Sequence, residues 1–253
     1  MQTKWTRLTD DQWEVIKPFV NHQRKRTLDL RDVFDAIFYI TRTGCQWRNL
    51  PDEFGKWSAV YYYFDKWTKQ GVLMRINLAL NQIERQQRGR KPLASMALAD
   101  SQSIKLAPMI YEYRGADGFK KVNGRKRHIL TDVLGRVYCA HVHAANEYDG
   151  NGGVALVDQL EEWMKGVETV LADQGYQGVF AEAVTASGRK FALPKREEGQ
   201  KGFVVQAKRW VVERTFAWLN FYRRVAMDYE HTPRMAASFV IMANISMVLA
   251  KVV

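Results

Sequence analysis

The chain has 253 residues, 47% of them apolar and 26% charged, which excludes wholesale disorder and supplies material for a packed core. Its formal net charge of +11 disfavours an acidic binding module and points to a polyanionic partner, with nucleic acid first in line. No run approaches the roughly 20 apolar residues of a membrane span, no signal-peptide pattern opens the sequence, and Cys45 and Cys139 lie in no disulfide framework, so a cytoplasmic protein is expected.

The first part reads as helices. In "LTDDQWEVIKPFV", Thr9 is placed as an N-cap, and Trp13, Ile16 and Val20 follow at helical spacing. A second helix is expected through "LRDVFDAIFYITRT", ended by Gly44. After "CQWRNLP", a third runs through "KWSAVYYYFDKWTKQG". Trp57, Val60, Tyr61, Phe64 and Trp67 mark its inner face, while Tyr62, Tyr63, Lys66 and Lys69 point elsewhere. Helix, turn, short piece and helix is the layout of a helix-turn-helix module, whose last helix enters the major groove. Trp47, Trp57 and Trp67 are expected in its core.

A break is expected near "QQRGRKPLAS", polar and basic, with Gly89 and Pro92 as punctuation. Residues 1–95 hold 17 Lys and Arg against 10 Asp and Glu, and residues 96–253 hold 21 against 17, so the basic excess sits at the front. The division is therefore a helical DNA-binding domain, 1–95, and a second domain, 96–253.

The second part changes period. "SMALADSQ" is a short apolar run ending at Asp100, and "RHILTDVLGRVYCAHVHAA" is a hairpin turning at Leu134-Gly135. An amphipathic helix follows in "NGGVALVDQLEEWMKG". "ETVLADQGY" is a strand ending at Asp173, then come a helix around 178–187, the strand "KFALP" and a long helix from about 203. The order β-ββ-α-β-α-β-α fits an α/β fold, a mixed sheet with flanking helices.

Strands of such a sheet deliver their end residues to one rim, where ligand sites collect. Asp100 and Asp173 would meet there, and Glu213, set among the apolar residues of "AKRWVVERTFAWLNFYRR", would face them from a helix across the sheet. Three carboxylates in one pocket need a counter-charge, since repulsion would otherwise protonate one of them. Two divalent cations, about 3.5–4 Å apart in phosphodiester chemistry, supply it, and Mg²⁺ suits the oxygen ligands, with Mn²⁺ as its substitute. The plainer alternative is that Asp100 and Asp173 only cap loops and that Glu213 only pairs with Arg209, four residues earlier.

The segments "LADSQSIK", "VLADQGYQG" and "RWVVERTFAWLNFYRR" resemble the catalytic blocks of DDE transposases of bacterial insertion sequences, the group related to insertion-sequence family five. The segment "LDLRDVFDAIFYITRTGCQWRNLPDEFGKWSAVYYYFDKW" resembles the DNA-binding region that accompanies them. The resemblance implies a ribonuclease-H-like catalytic domain in which Asp100, Asp173 and Glu213 hold two Mg²⁺ ions. It implies cleavage at transposon ends by water, attack of the freed 3′-hydroxyl on target DNA, and a homodimer when DNA is bound. The family's helical block carries a tyrosine, an arginine, the glutamate and a lysine. Here Arg209 and Glu213 match, Gln206 replaces the tyrosine and Asn220 the lysine, so a hairpin-forming or base-flipping step served by those two is in doubt.

Double-stranded DNA would be gripped by Arg209, with Trp210 either stacking on a base or packing in the core. Lys105 belongs to the first catalytic block, and Tyr62, Tyr63, Lys66 and Lys69 to the outer face of the third helix. "YRGADGFKKVNGRKRH" is expected as a polar loop whose Lys120, Lys121, Arg125 and Lys126 contact phosphate, with a merely solvated loop as the alternative. Cys139, His141 and His143 share a strand face but lack a fourth partner for zinc. Glu147 and Asp149 are rival carboxylates, treated as turn residues, with Asp149 the nearer to the site. Two other functions stay open: a nuclease of the same fold that cuts without joining, and a DNA-binding regulator with a degenerate catalytic half.

Overall fold

The computed structural model describes residues 5–20, 28–194 and 209–253, with the side chain of Arg209 outside that set. Helix α1, Asp10–Ile16, opens with a capping box in which Thr9 and Gln12 exchange side-chain and backbone hydrogen bonds. Helix α2, Leu30–Thr43, is capped by Asp29 and stopped by Gly44 at φ 72°. The glycine is required twice over, because a Cβ there would also lie 2.9 Å from Cβ of Arg223. Two short 3₁₀ turns, Trp47–Asn49 and Asp52–Phe54, lead to α3, Trp57–Lys69. Helix α4, Val72–Gln87, was not among the expected elements. Its buried face mixes Leu73, Ile76 and Leu80 with Asn77, Asn81 and Glu84, which blunts the apolar stripe.

The sheet has six strands: β1, Met96–Lys105; β2, Gly115–Asp117; β3, Val122–Thr131; β4, Val137–Ala144; β5, Thr169–Leu171; and β6, Lys190–Ala192. Strand β1 lies between β3, antiparallel, and β5, parallel. Strand β4 runs antiparallel along the far side of β3, and β6 extends the sheet beyond β5. The β3–β4 hairpin turns at Gly135, φ 78°. Helices α5, Asp149–Gly152, α6, Ala155–Trp163, and α7, Val179–Ala186, fall between β4 and β6. Helices α8, Arg209–Leu219, α9, Arg223–Ala226, and α10, Pro233–Val252, follow. This is the ribonuclease-H-like mixed sheet with flanking helices.

Three expectations change, and the apolar stretch 236–253, interrupted by Asn244 and Ser246, is a buried helix as its sequence suggests. Strand β1 does not end at Asp100, because pairing with β3 continues from Asp100↔Ile129 to Lys105↔Gly124. The expected loop 113–128 is largely sheet: it forms β2 and the first half of β3. Trp47 and Trp67 pack in or against the core, but Trp57 is 37% exposed. Helix α10, by length and composition alone, could cross a membrane. Two thirds of its apolar window is instead buried within the chain, as a helix apolar all round should be.

The boundary expected at 95/96 falls between α4 and β1, but the core runs straight across it. Phe34, Ile37, Phe64 and Leu80 share one cluster with Leu98, Ile129, Phe216 and Phe239. Helix α10 lies against both α4 and β4, so the front helices are seated on the sheet through it.

Candidate active site

Register brings the two aspartates together. In the parallel pair of β1 and β5, Leu98 is opposite Leu171. Two residues further along each chain are Asp100 and Asp173, which therefore reach the same rim on adjacent strands. Both line one small cavity, closed by Pro194 and by Val212 of α8. Asp173 is fixed by its place before the 3₁₀ turn Gln174–Tyr176, where its Oδ1 accepts the Gly175 N–H at 2.9 Å. The Ser101 N–H donates to Oδ1 of Asp100 at 2.7 Å.

Helix α8 packs on β1 through Val211, Val212, Phe216 and Leu219, all buried. Glu213 is the exposed residue next to Val212. The carboxylate thus sits on the outer edge of the helix that closes the cavity. Among the described residues, no three acidic, histidine or cysteine side chains are close enough to share one ion.

A third aspartate was underestimated from sequence. Asp149, at the start of α5, accepts from the Ser101 hydroxyl at 3.0 Å and from Lys126 Nζ at 2.8 Å. A Cβ on Gly175 would lie 3.1 Å from Asp173 Oδ1 and 3.5 Å from Asp149 Oδ2, so the two carboxylates flank one glycine. Beside them the Tyr176 side chain is fully buried. Burial pushes its hydroxyl pKa well above the ordinary range, and the charges of Asp100, Asp149 and Asp173 push it further. The sequence puts Asp149 nearer the site than Glu147 but reads as a turn, because Asp149 stands in a glycine-rich stretch 49 residues from Asp100.

Tyr176 is held from behind by two histidines. Its hydroxyl lies 2.6 Å from His128 Nδ1, His128 Nε2 lies 2.7 Å from His143 Nε2, and His143 Nδ1 lies 2.8 Å from the Ala144 carbonyl. The carbonyl only accepts, so His143 donates through Nδ1 and accepts at Nε2. His128 then donates through Nε2 and accepts the tyrosine proton. Burial holds its pKa well below the usual range, which keeps it neutral for that role. His141 and His143, taken with Cys139 as one strand face, thus serve different neighbours.

The expected DNA contacts separate into two groups. Lys105, Lys120 and Lys121 are exposed. Tyr62 is 58% exposed with Lys66 over its ring, Tyr63 packs against the core, and Lys69 pairs with Asp65 at 2.6 Å. Trp210 is 44% exposed, but Arg214 covers one face of its ring at 4.3 Å. Arg125 is fully buried, bonding Asp228 and the carbonyls of Glu230, Glu112 and His231. Lys126 is also buried, on Asp149 and the Glu147 carbonyl. Neither is placed to meet phosphate, because β3 turns both side chains inward. Gln206 and the Arg209 side chain lie outside the described residues.

Two family models match in succession: "Putative transposase of IS4/5 family" over residues 8–77 and "Transposase DDE domain" over residues 91–249. The second covers more than half of the chain. The chain belongs to the DDE transposase family. Two curated relatives match part of the chain, and one of them carries a transposase name. A Burkholderia cepacia protein named "Putative transposase for insertion sequence element IS402" is 30% identical over 125 residues, 46% of this chain and 58% of its own. An uncharacterized Sinorhizobium fredii protein is 37% identical over 70 residues, 26% of this chain and 56% of its own. The chain thus spans little more than half the length of either relative.

Within this DDE transposase chain, Asn220 has an observable task at the position where the family block carries lysine. Its Oδ1 accepts from the buried Arg127 at 3.3 Å, and Arg127 also bonds the Val225 carbonyl and Gln102. Burial lowers the Arg127 pKa to about 10.

Proposed function

We propose that this protein is the transposase of a bacterial insertion sequence. It binds the terminal repeats of the element as a homodimer, cuts the DNA there and joins the freed ends to target DNA in the cytoplasm. The observation that carries the reading is the meeting of Asp100 and Asp173 on adjacent strands of a ribonuclease-H-like sheet, in a cavity walled by the helix that bears Glu213. The positive charge of the chain supports a DNA partner.

The oxygen chemistry of the donors suits a hard divalent cation, although among the described residues no three of them stand close enough to share one ion. Asp100, Asp149 and Asp173 are oxygen donors, and Mg²⁺ or Mn²⁺ accepts such ligands. Asp100 and Asp173 would hold two such ions, with Glu213 completing the set. When bound, divalent ions activate the attacking oxygen and stabilise the leaving one. The chain's own residues orient the reaction. Asp100 is fixed by the Ser101 N–H and Asp173 by the Gly175 N–H, while exposed lysines hold the DNA backbone. In the first step a water oxygen bonds to phosphorus and the P–O3′ bond breaks, leaving a 3′-hydroxyl. In the second, that hydroxyl attacks a target phosphodiester in the same way.

The test is nicking and joining of a supercoiled plasmid that carries the DNA flanking the gene, in Mg²⁺ or Mn²⁺, with wild type and Glu213→Gln. Joined products from wild type alone support a transposase. Cutting without joining would make the protein a nuclease, and DNA binding with no metal-dependent product would make it a regulator.

A further inference from the structure

The turn between β2 and β3 displays an aromatic side chain in a way that packing does not explain. Phe119 is 96% exposed, more than any other large apolar residue described. A phenylalanine is stabilised by leaving water, so a floppy loop would be expected to fold it away. This turn is not floppy. The buried carboxylate of Asp117 accepts the N–H groups of Phe119 at 3.0 Å and Lys120 at 2.9 Å, and its other oxygen accepts the Ser103 hydroxyl at 2.5 Å. The root of the hairpin is clamped as well. A Cβ on Gly115 would meet Asn146 Oδ1 at 2.0 Å, and one on Gly124 would meet the Ile104 carbonyl at 2.0 Å.

The hairpin leans toward the acidic pocket. Lys120 Nζ lies 3.5 Å from the Ser101 carbonyl, one residue from Asp100. Lys121 follows, exposed, with φ 52°, a left-handed conformation that fixes how the turn closes. A water-facing ring is thus followed along the turn by two exposed lysines, the first of which reaches the carbonyl next to Asp100. Aromatic rings flanked by cations are the elements from which sequence-tolerant single-strand sites are built: the ring stacks on a base while the charges hold the phosphates.

We propose that Phe119 is a base-stacking residue, packing on an unpaired DNA base beside the phosphate presented to Asp100 and Asp173, with Lys120 and Lys121 holding the adjoining backbone. This rests on the reading of the protein as an enzyme acting on DNA. The chemistry requires an exposed nucleobase face, which single-stranded or locally melted DNA offers and intact duplex does not.

The probe is an oligothymidylate carrying one 2-aminopurine, titrated with the full chain in EDTA so that no cleavage occurs, with a duplex of equal length alongside. Wild type should change the 2-aminopurine fluorescence on binding. Phe119→Ala should lose that change and bind the single strand about tenfold more weakly, with duplex affinity nearly unaltered. Phe119→Tyr should restore both. Equal single-strand affinity and an equal fluorescence change in wild type and Phe119→Ala would overturn the proposal, as would a tyrosine variant that behaves like alanine. Those results would leave plasmid cleavage intact as evidence for the enzyme. Failure of wild type to bind either DNA would remove the functional reading together with this one.

Discussion

The Asn244 side-chain amide meets both backbone polar groups of Val137. The Asn244 Oδ1 accepts the Val137 N–H at 3.0 Å, while Asn244 Nδ2 donates to the Val137 carbonyl at 3.2 Å and to Asn77 and Asn81 at 2.7 and 3.1 Å. A polar residue in the middle of α10 thereby registers that helix against the first residue of β4 and against α4. Asn244→Leu keeps the branched shape but takes a partner from buried polar atoms on two elements, α4 and β4, so unfolding free energy should fall by about 2–4 kcal/mol. Urea denaturation with an unchanged slope would check it.

The carboxylates should behave differently from such structural groups. Asp100→Asn, Asp173→Asn and Glu213→Gln should each lower metal-dependent plasmid cleavage by about a hundredfold or more, several kcal/mol of barrier. DNA binding in EDTA should survive. Glu213 is exposed, so its substitution should change stability by less than about 0.5 kcal/mol. Loss of activity with loss of folding would argue against a role in chemistry.

Arg125 and the lysines near it make opposite predictions from similar sequence. Arg125→Ala leaves Asp228 buried without its cation and should cost about 3–5 kcal/mol. Lys105→Ala, Lys120→Ala and Lys121→Ala should leave the melting temperature near wild type. Each should reduce the slope of log K against log salt by about 1, one phosphate contact apiece. A salt titration of duplex binding, paired with thermal melts, separates the two classes.

Asp35 predicts a pH dependence. Its side chain is buried beneath Leu8, and burial raises its pKa from 3.8 to about 6, against the opposing pull of the Leu8 N–H and Arg7. The folded form thus holds the proton more tightly than the unfolded form. The resulting stabilisation is complete below about pH 4 and is lost as pH rises through about 6, by about 3 kcal/mol in all. Asp35→Asn should match wild type near pH 4 and exceed it at pH 7, in melts recorded across that range.

Much of this architecture was legible in the chain. Thr9 and Gly44 announced helix ends by chemistry that acts within a few residues, and Leu134-Gly135 announced a hairpin. Asp173 was legible as a strand-end carboxylate because its flanking apolar run is short and clean, whereas β1 runs on past Asp100 to Lys105 through polar residues that hid the continuation. What escaped depended on distant partners. Arg125, Lys126 and Arg127 look like a basic loop, yet β3 buries each on an acceptor contributed from elsewhere, Asp228, Asp149 and Val225 among them. Asn77 and Asn81 hid α4 for the same reason: their polarity is satisfied by Val137, which no local pattern reveals. Asp149 was visible as an acid but not as a neighbour of Asp173.

The core that runs from Phe34 to Phe239 has a consequence for synthesis. Residues 30–80 complete their packing only once α10, the last helix made, is in place, so in a chain truncated before residue 233 the cluster from Phe34 to Phe239 cannot close.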